Sequence, residues 1–109
     1  MDSCSVSVRI TRPGVRASAI HEHIGLGFVS DGDDLVFRSP LAPELPVGDH
    51  LKWFHGVLQF HRKFIRNLEA DGVHTTVHIS VRGRTVPLEP EALLLAHQLH
   101  LKTEIEFRS

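Results

Sequence analysis

The chain of 109 residues has the length of one domain, residues 1–109, with 41% apolar and 23% charged residues. This balance is typical of a folded globular protein and excludes a disordered or collagen-like chain. No apolar run approaches the roughly 20 residues that cross a bilayer, and no signal-peptide pattern opens the chain. The net charge is −1, whereas a chain that binds nucleic acid usually has a basic excess. We therefore expect neither a membrane nor a nucleic acid as its partner.

Cysteine and histidine usage bears on the compartment and on pH sensitivity. The single Cys4 cannot form an internal disulfide, which favours a reducing, cytoplasmic compartment. Histidine, with nine residues, is the compositional outlier. If all nine titrate near their ordinary pKa of about 6.5, the net charge becomes strongly positive as the pH falls through 6. This predicts pH-sensitive solubility or partner binding.

The first third of the chain predicts a strand, a helix and a hairpin. Residues 5–10 alternate between polar and apolar side chains, which is typical of a strand with one buried face. Residues 15–24 have helical spacing, and Gly25 suits the C-terminal cap. Residues 26–37 predict a hairpin, because Asp31-Gly32 is a strong turn signal. The apolar stripe of the helix is Val15, Ala19, Ile20 and Ile24.

The rest of the chain predicts a loop, two helices and two strands. Residues 39–49 contain three prolines and form the main loop. A second helix falls between residues 51 and 70, and the clearest alternation, over residues 73–81, predicts a strand. A third helix begins at Pro90 and continues to Leu99, and a last strand follows it. The second helix has the core stripe Phe54, Leu58, Ile65 and Leu68, and the last strand has the inward residues Leu101, Thr103, Ile105 and Phe107.

The order of these elements indicates the fold class. The first six have the βαββαβ order of a ferredoxin-like sandwich, and the added C-terminal helix and strand extend its sheet. Because each strand has one apolar and one polar face, we expect an α+β fold with one sheet face open. No aromatic side chain on that face could stack a base, which again argues against nucleic acid. The predicted open row is Ser5, Ser7, Arg9, His74, Thr76, His78, Ser80, Arg82, Glu104 and Glu106.

Two short motifs, at residues 74–76 and 78–80, match the His-x-Thr/Ser pattern of two-histidine phosphodiesterases. In those enzymes the two histidines converge on one phosphate and act as acid and base. Here residues four apart on one strand lie about 13 Å from each other. No single proton-transfer site spans that distance, so we interpret His74 and His78 as polar outer residues. We predict no catalytic residue and no enzymatic activity.

Histidine spacing provides weak candidates for a metal site. His97 and His100 are three residues apart on the predicted third helix, where they could share an ion. However, no third ligand is fixed by spacing, and His21 and His23 point about 200° apart on a helix. We therefore predict no metal site and no cofactor. A metal- or small-molecule-binding domain that uses His97, His100 and a third histidine stays as an alternative.

Six features follow one another along the chain: a Pro-Gly helix entry (Pro13-Gly14), a loop that ends in Trp53, a Leu- and Phe-rich helix (57–68), a strand (73–81), a Leu-rich helix (93–99) and a closing strand (103–107). In this layout the chain resembles the small bacterial family catalogued as domain of unknown function 4279. Its C-terminal end departs from the aromatic ending that is usual in that family, since the chain contains no tyrosine. The resemblance implies a cytoplasmic binding protein without an agreed enzymatic activity. Some members resemble immunity proteins, which bind and neutralise a partner toxin.

The leading hypothesis is a non-enzymatic, cytoplasmic protein-binding module, with an immunity-like role against a toxin as its most specific form. Long loops often carry binding residues, so we predict contacts from Glu44, Asp49 and His50. The outer row contributes His74, His78 and Arg82. A second alternative is a homo-oligomeric structural domain, such as a homodimer that pairs through an edge strand.

Overall fold

The computed structural model describes residues 3–25, 27–82, 94, 97–98 and 101–108. In this part the chain has a small α+β fold with a five-stranded mixed sheet. The elements in chain order are β1 (Ser3–Ile10), α1 (Ala17–Ile24), β2 (Val29–Asp31), β3 (Asp34–Arg38), α2 (Val47–Leu58), α3 (Arg62–Ala70), β4 (Thr75–Arg82) and β5 (Lys102–Arg108). Short 3-10 turns precede α1 (Gly14–Arg16) and separate α2 from α3 (Gln59–His61).

The sheet has the strand order β2-β3-β1-β4-β5. The central strand β1 is antiparallel to β3 and to β4, and β5 is parallel to β4. The predicted hairpin is confirmed as β2 and β3, with Gly32 in the turn at a φ of 62°. Glycine suits this position because other residues rarely adopt a positive φ.

The strict alternation of β1 and β4 separates a core face from an open face. The core-facing residues of both strands are buried: Cys4, Val6, Val8 and Ile10 on β1, and Thr75, Val77, Ile79 and Val81 on β4. They pack against Ile20 of α1, Leu51, Phe54 and Leu58 of α2, and Leu68 of α3. Each large apolar side chain buried in this way contributes about 1.5–3 kcal/mol. The polar residues of the same strands therefore lie on the other face.

The first helix is shorter than predicted, and half of its predicted stripe is wrong. Ile20 and Ile24 are buried, but Val15 is 99% exposed and Ala19 is also exposed. The 3-10 turn has three residues per turn rather than 3.6, which places Val15 off the core face. The cap at Gly25 is confirmed: its φ is 67°, and its N–H donates to the His21 carbonyl at 3.1 Å.

The second predicted helix is two helices, and it begins inside the predicted loop. Pro46, with extended backbone, precedes the first residue of α2, Val47. A proline at this place has no N–H to lose from the helix ladder, so the helix starts at once. The stripe itself is confirmed, since Phe54, Leu58, Ile65 and Leu68 are all buried.

The C-terminal part of the fold is only partly described. Most of the predicted third helix lies outside the described residues, although Leu94, His97 and Gln98 have helical backbone. On β5, Ile105 and Phe107 are in register with the core residues Ile79 and Val81. They therefore face the core side of the sheet, as predicted, but they remain 37% and 68% exposed. At the sheet edge, β5 has β4 on one side only.

Candidate functional site

The middle of the open face is a concave surface with a floor of short side chains. Strand register places Ser5 opposite Ser80, and Ser7 opposite His78. The concavity has a volume of about 1060 Å³ and is bordered by Val29, Val36 and Arg38 on one side and by His78 and Glu104 on the other. Serines leave a depression here because the strands on both sides of them carry longer side chains. We call this surface, with its floor of Ser5, Ser7 and Ser80, the serine trough.

One end of the serine trough is fixed by a cluster of ion pairs. Arg9 of β1 contacts Asp31 at 2.6 Å and Asp34 at 2.8 Å. The backbone N–H of Arg12, which has a left-handed φ of 47°, donates to Asp34 at 2.9 Å. This N–H and the Arg9 guanidinium hold the pKa of Asp34 below its ordinary value. The cluster ties the β2–β3 hairpin to β1 and so keeps that end of the trough in place.

The opposite wall of the trough carries a histidine between two glutamates. His78 lies 3.3 Å from Glu106 through Nε2 and 3.9 Å from Glu104 through Nδ1. By contrast, Arg38 and Arg82 form no ion pair with any described carboxylate. Register places Arg38 opposite Ser7, and Arg82 opposite Ser3. Arg38 therefore presents unpaired positive charge beside the serine floor, and Arg82 lies on the same face of the sheet, next to the trough.

The predicted partner-binding residues do not form one site. The loop that contains Glu44 lies at the start of β1, where the Cys4 N–H donates to the Pro43 carbonyl. His74 lies at the other end, where the Thr11 N–H donates to its carbonyl. Thr11 follows Cys4 by seven positions of extended chain, which corresponds to about 23 Å. Exposed Glu44 and Asp49 therefore belong to a different part of the surface from His74, while His78 and Arg82 lie on the open face.

The prediction for His50 is wrong, because this side chain belongs to the core. It is 1% exposed, its Nδ1 lies 2.6 Å from the Ser39 hydroxyl, and its Nε2 has no hydrogen-bond partner. Burial lowers the pKa of His50, and this outweighs the opposite effects of the nearby Ala42 carbonyl, of Asp49 and of the Leu45 carbonyl. The contact between His50 and Ser39 ties the proline-rich loop to α2, so His50 has a structural role.

A second concavity lies where β4 begins, between α3 and the start of β5. It has a volume of about 700 Å³, and we call it the β4 cavity. It brings together His74 and His78, which the sequence singled out, with His55 and with two arginines that the sequence did not mark as a site, Arg62 and Arg66. The two arginines are about one helical turn apart, and both are exposed. Their like charges at that spacing are the sequence signal that could have indicated a site.

The described residues contain no group of three or more His, Cys, Asp or Glu side chains that could hold a metal ion. His97 is exposed, and His100 lies outside the described residues. Cys4 is buried, its thiol donates to the Leu45 carbonyl at 3.2 Å, and burial raises its pKa. A thiol in this state is a poor nucleophile.

The chain matches no protein-family model, no curated protein and no solved structure. Among the described helices, none is long and apolar enough to cross a membrane. The chemistry of the trough and of the β4 cavity is therefore the basis for any functional conclusion.

Proposed function

We propose that this protein is a non-enzymatic binding module that recognises another protein through the serine trough. The observation that carries the proposal is the floor of Ser5, Ser7 and Ser80 at the centre of an otherwise charged open face. Such a floor admits side chains of a partner between the two walls. The serine hydroxyls donate and accept hydrogen bonds there without losing much side-chain entropy.

The charges around the trough indicate the chemistry of the partner. Arg38 and Arg82 lack a carboxylate among the described residues, whereas Arg9 is neutralised by Asp31 and Asp34. An arginine fork binds a carboxylate through two hydrogen bonds. We therefore expect the partner to place Asp or Glu side chains over Arg38 and Arg82.

The arrangement around His78 supports binding rather than catalysis. A nucleophilic hydroxyl needs a base within hydrogen-bond distance. In the described part of the trough, the His78 ring has a hydrogen-bond contact with Glu106 and lies 3.9 Å from Glu104, and no serine hydroxyl bonds to it. We thus propose that His78 shapes the wall of the trough, with no role as a general base.

Three finer proposals accompany this one. A ferredoxin-like layout is supported by the strand order β2-β3-β1-β4, with β5 as an addition at the edge. A cytoplasmic location is supported by the free, buried Cys4. Membership of the family of domain of unknown function 4279, and with it an immunity-like role against a toxin, rests on the layout described above. A homodimer stays as an alternative, because no other strand among the described residues pairs with the outer edge of β5.

The test is capture of a partner by two matched tryptophan variants. Ser7→Trp fills the floor of the trough, and Ser18→Trp places the same side chain on the exposed side of α1. Each variant, immobilised through an added N-terminal tag, is incubated with lysate of the native host, and bound proteins are identified by mass spectrometry. We expect a stoichiometric protein that the wild type and Ser18→Trp capture and that Ser7→Trp does not. Equal capture by both variants, or no captured protein at all, would contradict the proposal.

A further inference from the structure

We propose that the β4 cavity binds a small organic molecule that carries a phosphate group, with Arg62 and Arg66 as its phosphate ligands. This inference is independent of the protein-binding proposal, because its two key residues lie on α3 and not on the serine trough. Arg62 and Arg66 are charged residues of α3 that line this cavity, and no described carboxylate pairs with them. The proposal gives them a function.

Arg62 and Arg66 present two guanidinium groups on one side of α3. They are four residues apart, so their side chains leave the same face of the helix, and both line the cavity. Neither makes an ion pair with a described carboxylate. The one hydrogen-bond contact of Arg62 is from Nη2 to His55 Nε2, at 3.4 Å. Like charges at this spacing destabilise a helix, and an anion between them removes that cost.

The acidic residues of the cavity are already engaged. Glu69 accepts a hydrogen bond from the Thr75 N–H at 2.7 Å with one oxygen, and its other oxygen lies 3.1 Å from His74 Nδ1. Glu104 lies 3.5 Å from Lys102 and 3.9 Å from His78. Neither carboxylate neutralises Arg62 or Arg66, so the α3 side of the cavity keeps two positive charges.

Glu69 also fixes the tautomer of His74. A carboxylate only accepts hydrogen bonds, so the pair requires the proton of His74 on Nδ1. The other ring nitrogen, Nε2, is then directed away from Glu69. A carboxylate pairs with one guanidinium fork through its two oxygens, whereas a phosphate has three terminal oxygens and can accept from both forks. This donor set favours a phosphate over a carboxylate.

The cavity is also larger and less polar than a site for a free ion. Leu58, Ile65 and Leu101 contribute apolar wall, and the volume is about 700 Å³. Pockets for small organic ligands have volumes of about 300–1,000 Å³ with mostly apolar walls. A phosphate alone would leave most of this space empty, so the ligand class is a phosphate ester with an apolar or aromatic portion.

Isothermal titration calorimetry tests this site with three probes: phenyl phosphate, inorganic phosphate and benzoate. The protein variants are Arg62→Gln, Arg66→Gln and, as a matched control, Lys63→Gln, which removes an exposed charge of α3 outside the cavity. Glutamine keeps a high helix propensity, and far-UV circular dichroism confirms that each variant is folded. Arg66→Lys, which keeps the charge and loses the fork, is a second variant for the same position.

We expect wild-type protein to bind phenyl phosphate at one saturable site, more tightly than either of the other probes. Each arginine-to-glutamine variant should weaken this binding by about tenfold or more, because a charge-assisted hydrogen bond is lost. Lys63→Gln should bind as wild type does, and Arg66→Lys should lie between wild type and Arg66→Gln. Three results would overturn the proposal: no saturable binding of phenyl phosphate, benzoate binding of equal strength, or a loss of equal size in Lys63→Gln.

Discussion

Acidification should destabilise this protein at a pH where its carboxylates are still ionised. Two histidines are responsible. Burial is the main cause that lowers the pKa of His50. Burial also lowers the pKa of His61, and repulsion from His23 makes a smaller contribution in the same direction. Each also has one ring nitrogen, Nε2 of His50 and Nδ1 of His61, that is buried without a hydrogen-bond partner. The folded protein therefore favours the neutral form of both rings.

The sign and the size of the effect follow from proton linkage. In the unfolded chain both histidines take up a proton near pH 6.5, before the folded protein does. Stability is therefore fully present above about pH 6.5 and is lost as the pH falls toward the lower pKa values of the folded state. The unfolded rings are already half protonated at pH 6.5, so each histidine lowers the free energy of unfolding by at most about 1 kcal/mol between pH 6.5 and 5.5, and the two together by at most about 2 kcal/mol. That is a large part of the roughly 5–15 kcal/mol that stabilises a domain.

Urea denaturation at pH 7.5, 6.5 and 5.5 measures this loss directly. His50→Gln retains a polar group beside Ser39 but cannot titrate, and His61→Gln removes the second titrating ring. The control is His21→Gln on the exposed side of α1. We expect the pH dependence to decrease in each of the first two variants and to persist in His21→Gln. A stability that is constant or increases from pH 6.5 to 5.5 in the wild type would refute the reasoning.

Three further substitutions test the packing. Phe54→Ala removes a fully buried ring that contacts Phe37 and Trp53. In urea denaturation it should lower the free energy of unfolding by about 3–5 kcal/mol, and a loss under about 1 kcal/mol would contradict its place in the core. Thr75→Val replaces the hydroxyl of a residue that is 1% exposed, and this hydroxyl has no hydrogen-bond partner. Thermal denaturation should therefore find Tm unchanged or raised, and a clear decrease in Tm would mean that the hydroxyl is hydrogen-bonded. Gly25→Ala forces an L side chain into a left-handed φ of 67° and should cost about 1–2 kcal/mol, whereas an unchanged urea midpoint would show that the helix end adapts.

The strands could be predicted from the sequence because alternation directly reports which face is buried. Residues 75–82 have one buried and one open face throughout, and the same period-2 pattern fixed the core face of β1. Helix boundaries were less predictable. The start of α2 at Val47 depends on the extended backbone of Pro46, and the 3-10 turn at residues 59–61 interrupts an otherwise continuous apolar stripe.

The site was harder to predict, because it depends on which ends of the strands meet. The sequence marks Glu44 and His74 as polar candidates, but only strand pairing reveals that they lie at opposite ends of β1. Burial of His50 depends on a contact with Ser39, eleven residues away, that no periodicity encodes. Arg62 and Arg66 have the spacing of a solvent-facing pair, and they line a cavity only because β4 and β5 begin opposite α3.

The most direct test of recognition through the serine trough is a map of amide chemical-shift changes when the captured partner is added to isotope-labelled protein. The measurement needs no variant and reports on every strand and helix at once. We predict that the largest changes fall at Ser5, Ser7 and Ser80, with smaller ones at Arg38 and Arg82. Changes confined to α1, α2 and α3, with the strands unaffected, would contradict recognition through the open face of the sheet.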